Sequence, residues 1–212
     1  MGRIFAIGDI HGHLTKLEEL LGKLPIDPQV DEVVFLGDYI DRGPDSMAVM
    51  DRLVALSRSL PRATFLMGNH ESMFLEDYLG RTNEPRFFFN GGASTLQSYN
   101  RRGIDPRRDG LPAEHREFLG RLKLWRESEG WVFVHAGLRP GLPLIRQDRR
   151  DLLWIREEFY SAESDWPYRV VFGHTPFQKP YRRGRLTGID TGAAYGGKLT
   201  CLVIPDEEFI QA

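Results

Sequence analysis

Six residues of metal-ligand type stand at or just beyond the ends of apolar runs in this chain. They are Asp9, His11, Asp38, Asn69, His135 and His174. Nitrogen and oxygen ligands without a thiolate suit manganese, iron(II) or zinc, and they argue against a structural zinc site or an iron–sulfur cluster. Six protein ligands exceed what one open catalytic ion needs. If Asp38 bridges, each of two ions receives three or four protein ligands, which predicts a two-metal hydrolase with a bridging hydroxide as nucleophile.

The elements that position these residues are legible as short apolar runs. Runs rich in β-branched and aromatic residues predict buried strands at 3–7, 33–36, 63–67, 131–134 and 169–172. Apolar residues at helical spacing predict one helix from Leu14 to Leu24 and another after Asp45, with Thr15 and Asp45 as possible caps. Two successive βαβ units would place the first three ligand segments side by side, because polar groups at the carboxyl ends of neighbouring strands converge on one crevice.

A single Asp or His after a strand is more often a helix cap or a satisfied core residue than a metal ligand. In this chain, however, four of the six histidines follow strand runs: His11, His70, His135 and His174. This concentration favours one shared metal site over a set of unrelated caps.

Five short segments occur in order along the chain: GDIHG at 8–12, GDYIDRG at 37–43, GNHE at 68–71, HAG at 135–137 and GHT at 173–175. Together they resemble the metallophosphoesterase superfamily (calcineurin-like phosphoesterases), and more narrowly the phosphoprotein phosphatases that include bacterial and phage serine/threonine phosphatases. The resemblance spans residues 9–197. It implies an α/β (α+β) fold, a four-layer α-β-β-α sandwich of the metallo-dependent phosphatase type. We expect two divalent metal ions as cofactors, manganese first and iron or zinc as alternatives.

The resemblance also implies a role for each site residue. Two metal sites share one carboxylate: Asp9, His11 and Asp38 in one, and Asp38, Asn69, His135 and His174 in the other. His70 is implied to be the general acid that protonates the leaving oxygen, and Asp41 to orient it. Arg42 and Arg156 resemble the two arginines that grip the phosphate in this family.

These implied roles agree with the chemistry of the side chains. A carboxylate bonded to one imidazole nitrogen raises the basicity of the ring and fixes its orientation, as a general acid requires. The planar fork of arginine matches two phosphate oxygens and keeps its charge. As ordinary surface residues, Arg42 would instead pair with Asp45, and Arg156 with Glu157 or Glu158.

Length and composition fit one enzyme domain over 1–212. The 212 residues are 41% hydrophobic, enough to bury a substantial core. The 28 Lys and Arg nearly balance the 30 Asp and Glu, so we expect no nucleic-acid or membrane partner. A single cysteine, Cys201, excludes an internal disulfide framework. Without a signal-like start or a long apolar stretch, the chain is predicted to be cytoplasmic; its oligomeric state is not predictable.

The regular alternation of predicted strands and helices is lost over about 79–129. We interpret this segment as an insertion that builds the walls of the substrate site. Residues 114–122 are predicted to be helical within it, and 181–185 further along are predicted to form a hairpin turn. The segment Asn90-Gly91-Gly92 with Thr95 resembles part of the bacterial phosphatases, which places it near the cleft.

The leading functional hypothesis is a dinuclear-metal phosphomonoesterase, a serine/threonine protein phosphatase that acts on a phosphoprotein or phosphopeptide and releases inorganic phosphate. One alternative is a symmetrical bis(5'-nucleosyl)-tetraphosphatase, but that subfamily typically has Ala in place of Asp41 and GNHD in place of the segment ending in Glu71. Another is a non-catalytic metal-binding regulatory module, against which the presence of His70 and Asp41 argues. Met67 stands where family members often have Arg.

Overall fold

The computed structural model of the chain describes residues 2–163 and 166–212. Its layers follow from the alternating direction of side chains along each strand. In β1 (Ile4–Ile7), Phe5 and Ile7 belong to one buried cluster, whereas Ile4 and Ala6 belong to another on the opposite face. Both faces are covered, which is why this strand reads as a continuous apolar run.

The first sheet has parallel strands on one side and antiparallel strands on the other. In spatial order it contains β11 (Glu208–Gln211), β10 (Lys198–Ile204), β1, β2 (Glu32–Phe35) and β3 (Ala63–Phe65). Strands β1, β2 and β3 are parallel, β10 is antiparallel to both β1 and β11, and the short β9 (Asp190–Thr191) pairs with β10. The three strands predicted here are confirmed, although β3 ends before Leu66.

The second sheet is built in the same mixed way. In spatial order it contains β4 (Trp125–Ser128), β5 (Trp131–Val134), β6 (Arg169–Phe172), β8 (Leu186–Gly188) and β7 (Tyr181–Arg183). Strands β5, β6 and β8 are parallel, and β4 and β7 form antiparallel edges. The predicted hairpin turn is confirmed between β7 and β8, where Gly184 has a φ of +55°.

Helices cover the outer face of each sheet. They are α1 (Leu14–Lys23), α2 (Ser46–Ser59), α3 (Asn69–Ser72) with a π-helical continuation (Met73–Leu79), α4 (Glu84–Phe89), α5 (Gly92–Asn100), α6 (Ala113–Gly120), α7 (Arg149–Trp154) and α8 (Glu157–Tyr160). Leu17 of α1 and Leu53 of α2 pack on the first sheet, and Leu152 of α7 and Phe159 of α8 pack on the second. A third cluster, which includes Phe133, fills the space between the sheets. The predicted four-layer α-β-β-α sandwich is confirmed.

Of the two predicted helix caps, Thr15 is wrong, and Asp45 is at the N-cap position but does not form the cap hydrogen bond. Helix α1 begins at Leu14 after His13, so Thr15 lies inside it and cannot cap it. Asp45 does precede α2, but its side chain forms no cap hydrogen bond and lies 3.7 Å from the Arg101 guanidinium. A tertiary ion pair has therefore replaced the local interaction that the sequence favours.

The segment 79–129 contains α4, α5, α6 and β4, and α6 corresponds to the helix predicted at 114–122. Its assignment as a substrate wall stays a prediction, as does the assignment of 1–212 to one domain. Within the described ranges, no helix combines the length and the apolar character needed to cross a bilayer.

Candidate active site

The six predicted metal ligands meet at one edge of the sandwich. Each follows a parallel strand: Asp9 and His11 follow β1, Asp38 follows β2, Asn69 opens α3 after β3, His135 follows β5 and His174 follows β6. The backbone N–H of His11 donates to the carbonyl of Asp38 at 2.8 Å, which joins the first two loops. The N–H of His174 donates to Asp9 Oδ2 at 2.9 Å and so links the two sheets at the site.

The loops that carry these residues have unusual backbone conformations. Of the eight non-glycine residues with positive φ in the described chain, five belong to the site: His11, Asp38, Asp41, Arg42 and His174. Two glycines allow close approach, since a Cβ at Gly68 would lie 2.1 Å from Asp38 Oδ1 and one at Gly173 would lie 2.1 Å from Asp9 Oδ1. Strain of this kind persists where the surrounding structure holds side chains for function.

One cluster of ligand atoms forms around His11, Asp38 and His70, whose offered atoms lie within 4.8 Å of one another. His11 Nδ1 donates to the carbonyl of Ile40 at 2.9 Å, so Nε2 carries the lone pair of the ring; Nε2 lies 3.5 Å from Asp38 Oδ2. The buried Oδ1 of Asp9 has no hydrogen-bond partner among the described residues. An unpartnered buried carboxylate oxygen fits a metal ligand.

A second cluster forms around Asp38, His135 and His174, joined by Asn69. His135 Nδ1 donates to the carbonyl of Leu36 at 2.9 Å, and its Nε2 lies 3.4 Å from Asp38 Oδ1 and 3.0 Å from Asn69 Oδ1. His174 Nδ1 lies 2.8 Å from the same amide oxygen. Ligands bound at about 2.1 Å to one ion are roughly 3 to 4 Å apart, so these spacings fit a shared ion.

The electrostatics of the two clusters favour cations. Burial raises the pKa of Asp9 well above its usual range, and the neighbouring Asp190 and Asp38 raise it further. Burial also raises the pKa of Asp190 to about 6. Although burial alone would raise it, the pKa of Asp38 is held below its usual range by the imidazoles of His135 and the other site histidines. Three buried carboxylates thus share one region, and divalent cations would neutralise them.

His70, a member of the first cluster, forms a buried pair with Asp41. His70 Nδ1 lies 2.7 Å from Asp41 Oδ2, and the backbone N–H of His70 donates to Asp38 Oδ1 at 3.1 Å. Burial lowers the pKa of His70, but Asp38 and the hydrogen bond to Asp41 raise it more, so the net direction is upward. Its buried Nε2 lacks a partner among the described residues. A raised pKa and an unengaged nitrogen suit a proton donor.

Thr95, on α5, was not predicted as a site residue. Its hydroxyl donates to Asp41 Oδ1 at 2.6 Å and accepts the Asp41 N–H at 2.9 Å. The same N–H also reaches Ser46 Oγ at 3.1 Å. Thr95 therefore fixes the carboxylate that orients His70. The segment Asn90-Gly91-Gly92 with Thr95 was the one signal for it, and its predicted position near the cleft is confirmed by the bond from Arg42 N–H to the Gly91 carbonyl.

We expect Thr95→Val to lower kcat about tenfold on substrates with poor leaving groups, because the loss of one hydrogen bond to a charged group costs about 1.5 kcal/mol or more. Thr95→Ser, which keeps the hydroxyl, should retain most activity. Steady-state kinetics on phenyl phosphate, with thermal unfolding as the control for stability, measures the effect. Equal activity of the Val and Ser variants would contradict the role given to the hydroxyl.

Glu71 braces the loops behind the metal ligands. Its carboxylate accepts backbone N–H groups of Asp38 at 2.9 Å, Tyr39 at 2.8 Å and Gly68 at 2.9 Å. The side chain is fully buried. Glu71 thus acts on loop geometry, and it is too deep to contact a substrate.

The two candidate phosphate-binding arginines flank the ligands. Arg42 Nη1 lies 2.6 Å from His11 Nε2, and its guanidinium lies 5.2 Å from the ring centre of Tyr195. Arg156 Nη1 donates to Thr175 Oγ1 at 3.3 Å. The pKa of His174 is held well below its usual range, first by burial, then by the His135 imidazole and then by the charge of Arg156. Within 2–163 and 166–212, neither arginine forms the surface ion pair considered above, since Asp45 approaches Arg101 and no pair joins Arg156 to Glu157 or Glu158.

Met67 stands where related proteins often have an arginine, and in this structure it lies beside an arginine from another element, α7. Its Sδ lies 3.0 Å from Arg149 Nη2, and the same guanidinium pairs with Glu76 at 2.6 Å. The guanidinium of Arg149 is thus present beside position 67, although residue 67 itself is a methionine.

Comparison with known proteins identifies the class. A family model described as calcineurin-like phosphoesterase matches residues 2–198. The chain therefore belongs to the calcineurin-like phosphoesterase family, and it is a metallophosphoesterase of the dinuclear type.

Relatives narrow the comparison further. The chain is 32% identical to the bis(5'-nucleosyl)-tetraphosphatase PrpE [asymmetrical] of Geobacillus thermodenitrificans, over 94% of this chain and 89% of the relative. A crystal structure of a candidate diadenosine tetraphosphatase superposes with a TM-score of 0.74 at 25% identity, covering 100% of this chain and 93% of that one. A cold-active protein tyrosine phosphatase superposes with a TM-score of 0.68, covering 100% of this chain and 78% of that one; at 18% identity it shows the shared fold alone. These relatives support the nucleotide alternative better than the protein phosphatase.

Proposed function

We propose that this chain hydrolyses dinucleoside tetraphosphates asymmetrically, to one nucleoside triphosphate and one nucleoside monophosphate. The observation that carries the proposal is the similarity, over nearly the whole chain, to a relative described by that activity, together with two ligand clusters that share Asp38. This differs from the symmetrical cleavage considered above, which would give two nucleoside diphosphates. It also releases no inorganic phosphate.

In this proposal Asp9, His11, Asp38, Asn69, His135 and His174 would hold two divalent ions, with manganese as the expected metal. Bound ions of this kind polarise phosphoryl oxygens and lower the pKa of a coordinated water. Arg42 and Arg156 bind the non-bridging oxygens of the phosphoryl group under attack and stabilise the charge that develops there. His70, oriented by Asp41 and Thr95, protonates the bridging oxygen as the P–O bond breaks, and the water oxygen forms the new bond to phosphorus.

The sequence differences that favoured a protein phosphatase have a physical explanation in the structure. Asp41 is buried against His70 and Thr95, and Glu71 is buried against backbone N–H groups. Both residues act on the acid and the loops, so they carry little information about the group attached to the phosphate.

The test is a parallel turnover assay with added manganese on diadenosine tetraphosphate, a phosphoserine peptide and a phosphotyrosine peptide. We expect the highest kcat/KM for the dinucleotide, and chromatography should show ATP and AMP in equal amounts. A higher kcat/KM for either peptide would restore the protein phosphatase hypothesis. ADP as the sole product would show symmetrical cleavage.

For the arginines, we expect Arg42→Ala and Arg156→Ala each to weaken inhibition by inorganic phosphate and to lower kcat/KM about 10- to 100-fold, the value of a charge-assisted contact. Lys should rescue partly, because it supplies charge without the paired geometry. Metal content should not change. Unaltered phosphate inhibition in Arg156→Ala, with impairment in Arg42→Ala, would make Arg156 a surface residue.

A further inference from the structure

A groove of about 360 Å³ opens beside the candidate active site. Its walls include Arg139, Arg150, Asp151, Trp154, Arg156 and Glu158. Arg156 belongs both to this groove and to the active site, where it reaches Thr175. The Trp154 ring lies 6.0 Å from the ring of His174, so the wall of the groove adjoins a metal ligand. The groove therefore adjoins the place where the phosphoryl group would bind.

The charges of the groove are unevenly engaged. Arg139 is bound by Asp151, with Nε 2.9 Å from Oδ2, so these two side chains neutralise each other. The Arg150 guanidinium has no ion pair or hydrogen bond within the described part of the chain, and Arg156 has the single bond to Thr175. Glu158 is the one carboxylate that opposes them. Two arginines in one groove, one of which also contacts Thr175 at the candidate active site, favour an extended anion.

We propose that this groove binds the polyphosphate chain of the substrate beyond the phosphoryl group under attack, with Arg150 as a phosphate ligand. The inference rests on the proposed function, because a phosphomonoester has no further phosphates to place there. A tetraphosphate carries several charges that cannot all lie at the two metal ions. Arg156 would hold the attacked group, and Arg150, a second cation that lines the same groove, would hold a phosphate further along the chain.

The test compares substrates with and without a polyphosphate. We expect Arg150→Gln to raise KM for diadenosine tetraphosphate about fivefold, the value of one exposed charge contact, and to leave kcat/KM for p-nitrophenyl phosphate unchanged. Glu158→Gln should lower KM for the dinucleotide, because it removes the opposing charge. Arg121→Gln is the matched control, since this exposed arginine lines a different groove beside α6.

A second arm measures inhibition of p-nitrophenyl phosphate turnover by inorganic tripolyphosphate and by ATP. Weaker inhibition by both in Arg150→Gln supports a polyphosphate site, and loss of ATP inhibition alone would show that the nucleotide rather than the chain is recognised, which overturns the assignment. If the wild type cleaves the dinucleotide and Arg150→Gln behaves as the control, the proposed function stands and this inference is wrong. If the wild type fails to cleave the dinucleotide, the proposed function is wrong. The comparison of tripolyphosphate inhibition between the wild type and Arg150→Gln then still tests whether the groove binds a polyphosphate. An equal rise in KM for a phosphopeptide would reduce the groove to a general anion-binding surface and contradict the proposal.

Discussion

Asp38→Asn is expected to lose both metal ions and to lower kcat/KM on the order of 10³-fold or more, because metal ions supply several kcal/mol of transition-state stabilisation. Asp38 is the one residue present in both ligand clusters. Its two oxygens face different imidazoles, with Oδ2 3.5 Å from His11 Nε2 and Oδ1 3.4 Å from His135 Nε2. An amide keeps one oxygen and replaces the other by an NH₂ group, which cannot ligate a cation.

Elemental analysis of the dialysed variant, together with kinetics, measures this effect. Asp206→Asn is the matched control, since it makes the same chemical change at an exposed carboxylate in the turn between β10 and β11. Two ions per chain and near-normal turnover in Asp38→Asn would rule out a bridging role.

His70→Asn should keep both ions but lose on the order of 10² to 10⁴ in kcat on phenyl phosphate, whose leaving group is poor. The loss on p-nitrophenyl phosphate should be smaller, because its leaving group needs less protonation in the transition state. The geometry allows a rival role, since His70 Nε2 lies 3.8 Å from Asp38 Oδ2 and could itself be a metal ligand. Loss of bound metal, or an equal loss of kcat on both substrates, would favour that rival.

The sequence predicted those parts of the site that depend on short local segments, namely the ligand residues at the ends of strands. The ligands follow buried strands, and their number exceeds what one open catalytic ion needs, which predicts two ions if Asp38 bridges. The structure places His11, Asp38, His135 and His174 in two clusters. Asn69 Oδ1 lies close to both His135 and His174, and Asp9 accepts the N–H of His174. The acid pair was accessible through the resemblance, and the two residues do lie 2.7 Å apart. Their chemical roles stay predictions.

What escaped prediction depends on contacts between distant segments. Thr95 lies 54 positions from Asp41 in the chain, and its hydroxyl reaches the Asp41 carboxylate because α5 packs on α2. The strand β11 was not predicted, since its mixed composition lacks a clear period. The strand β10 was not predicted either, although Leu199–Ile204 is an apolar run of the kind that marks the other buried strands. Thr15 lies inside α1 because the helix begins one residue earlier, whereas the Asp45 side chain lies 3.7 Å from Arg101 and forms no cap hydrogen bond.

The substrate class could not be predicted from the sequence, because the residues that distinguish the subfamilies do not contact the substrate. Asp41 and Glu71 distinguish subfamilies in sequence, yet both are buried behind the reacting groups. Discrimination between a phosphopeptide and a dinucleotide depends on the rim of the cleft, where Tyr195 and Arg150 are exposed and the sequence carries no motif.

The central claim is that two divalent ions share Asp38 in this site. Electron paramagnetic resonance of the metal-free protein, titrated with manganese, tests it most directly. We predict that the second equivalent converts the hyperfine signal of isolated ions into that of an exchange-coupled pair, and that the coupled signal is missing in Asp38→Asn. Saturation at one equivalent, or two equivalents that retain the signal of isolated ions, would contradict a bridged dinuclear centre.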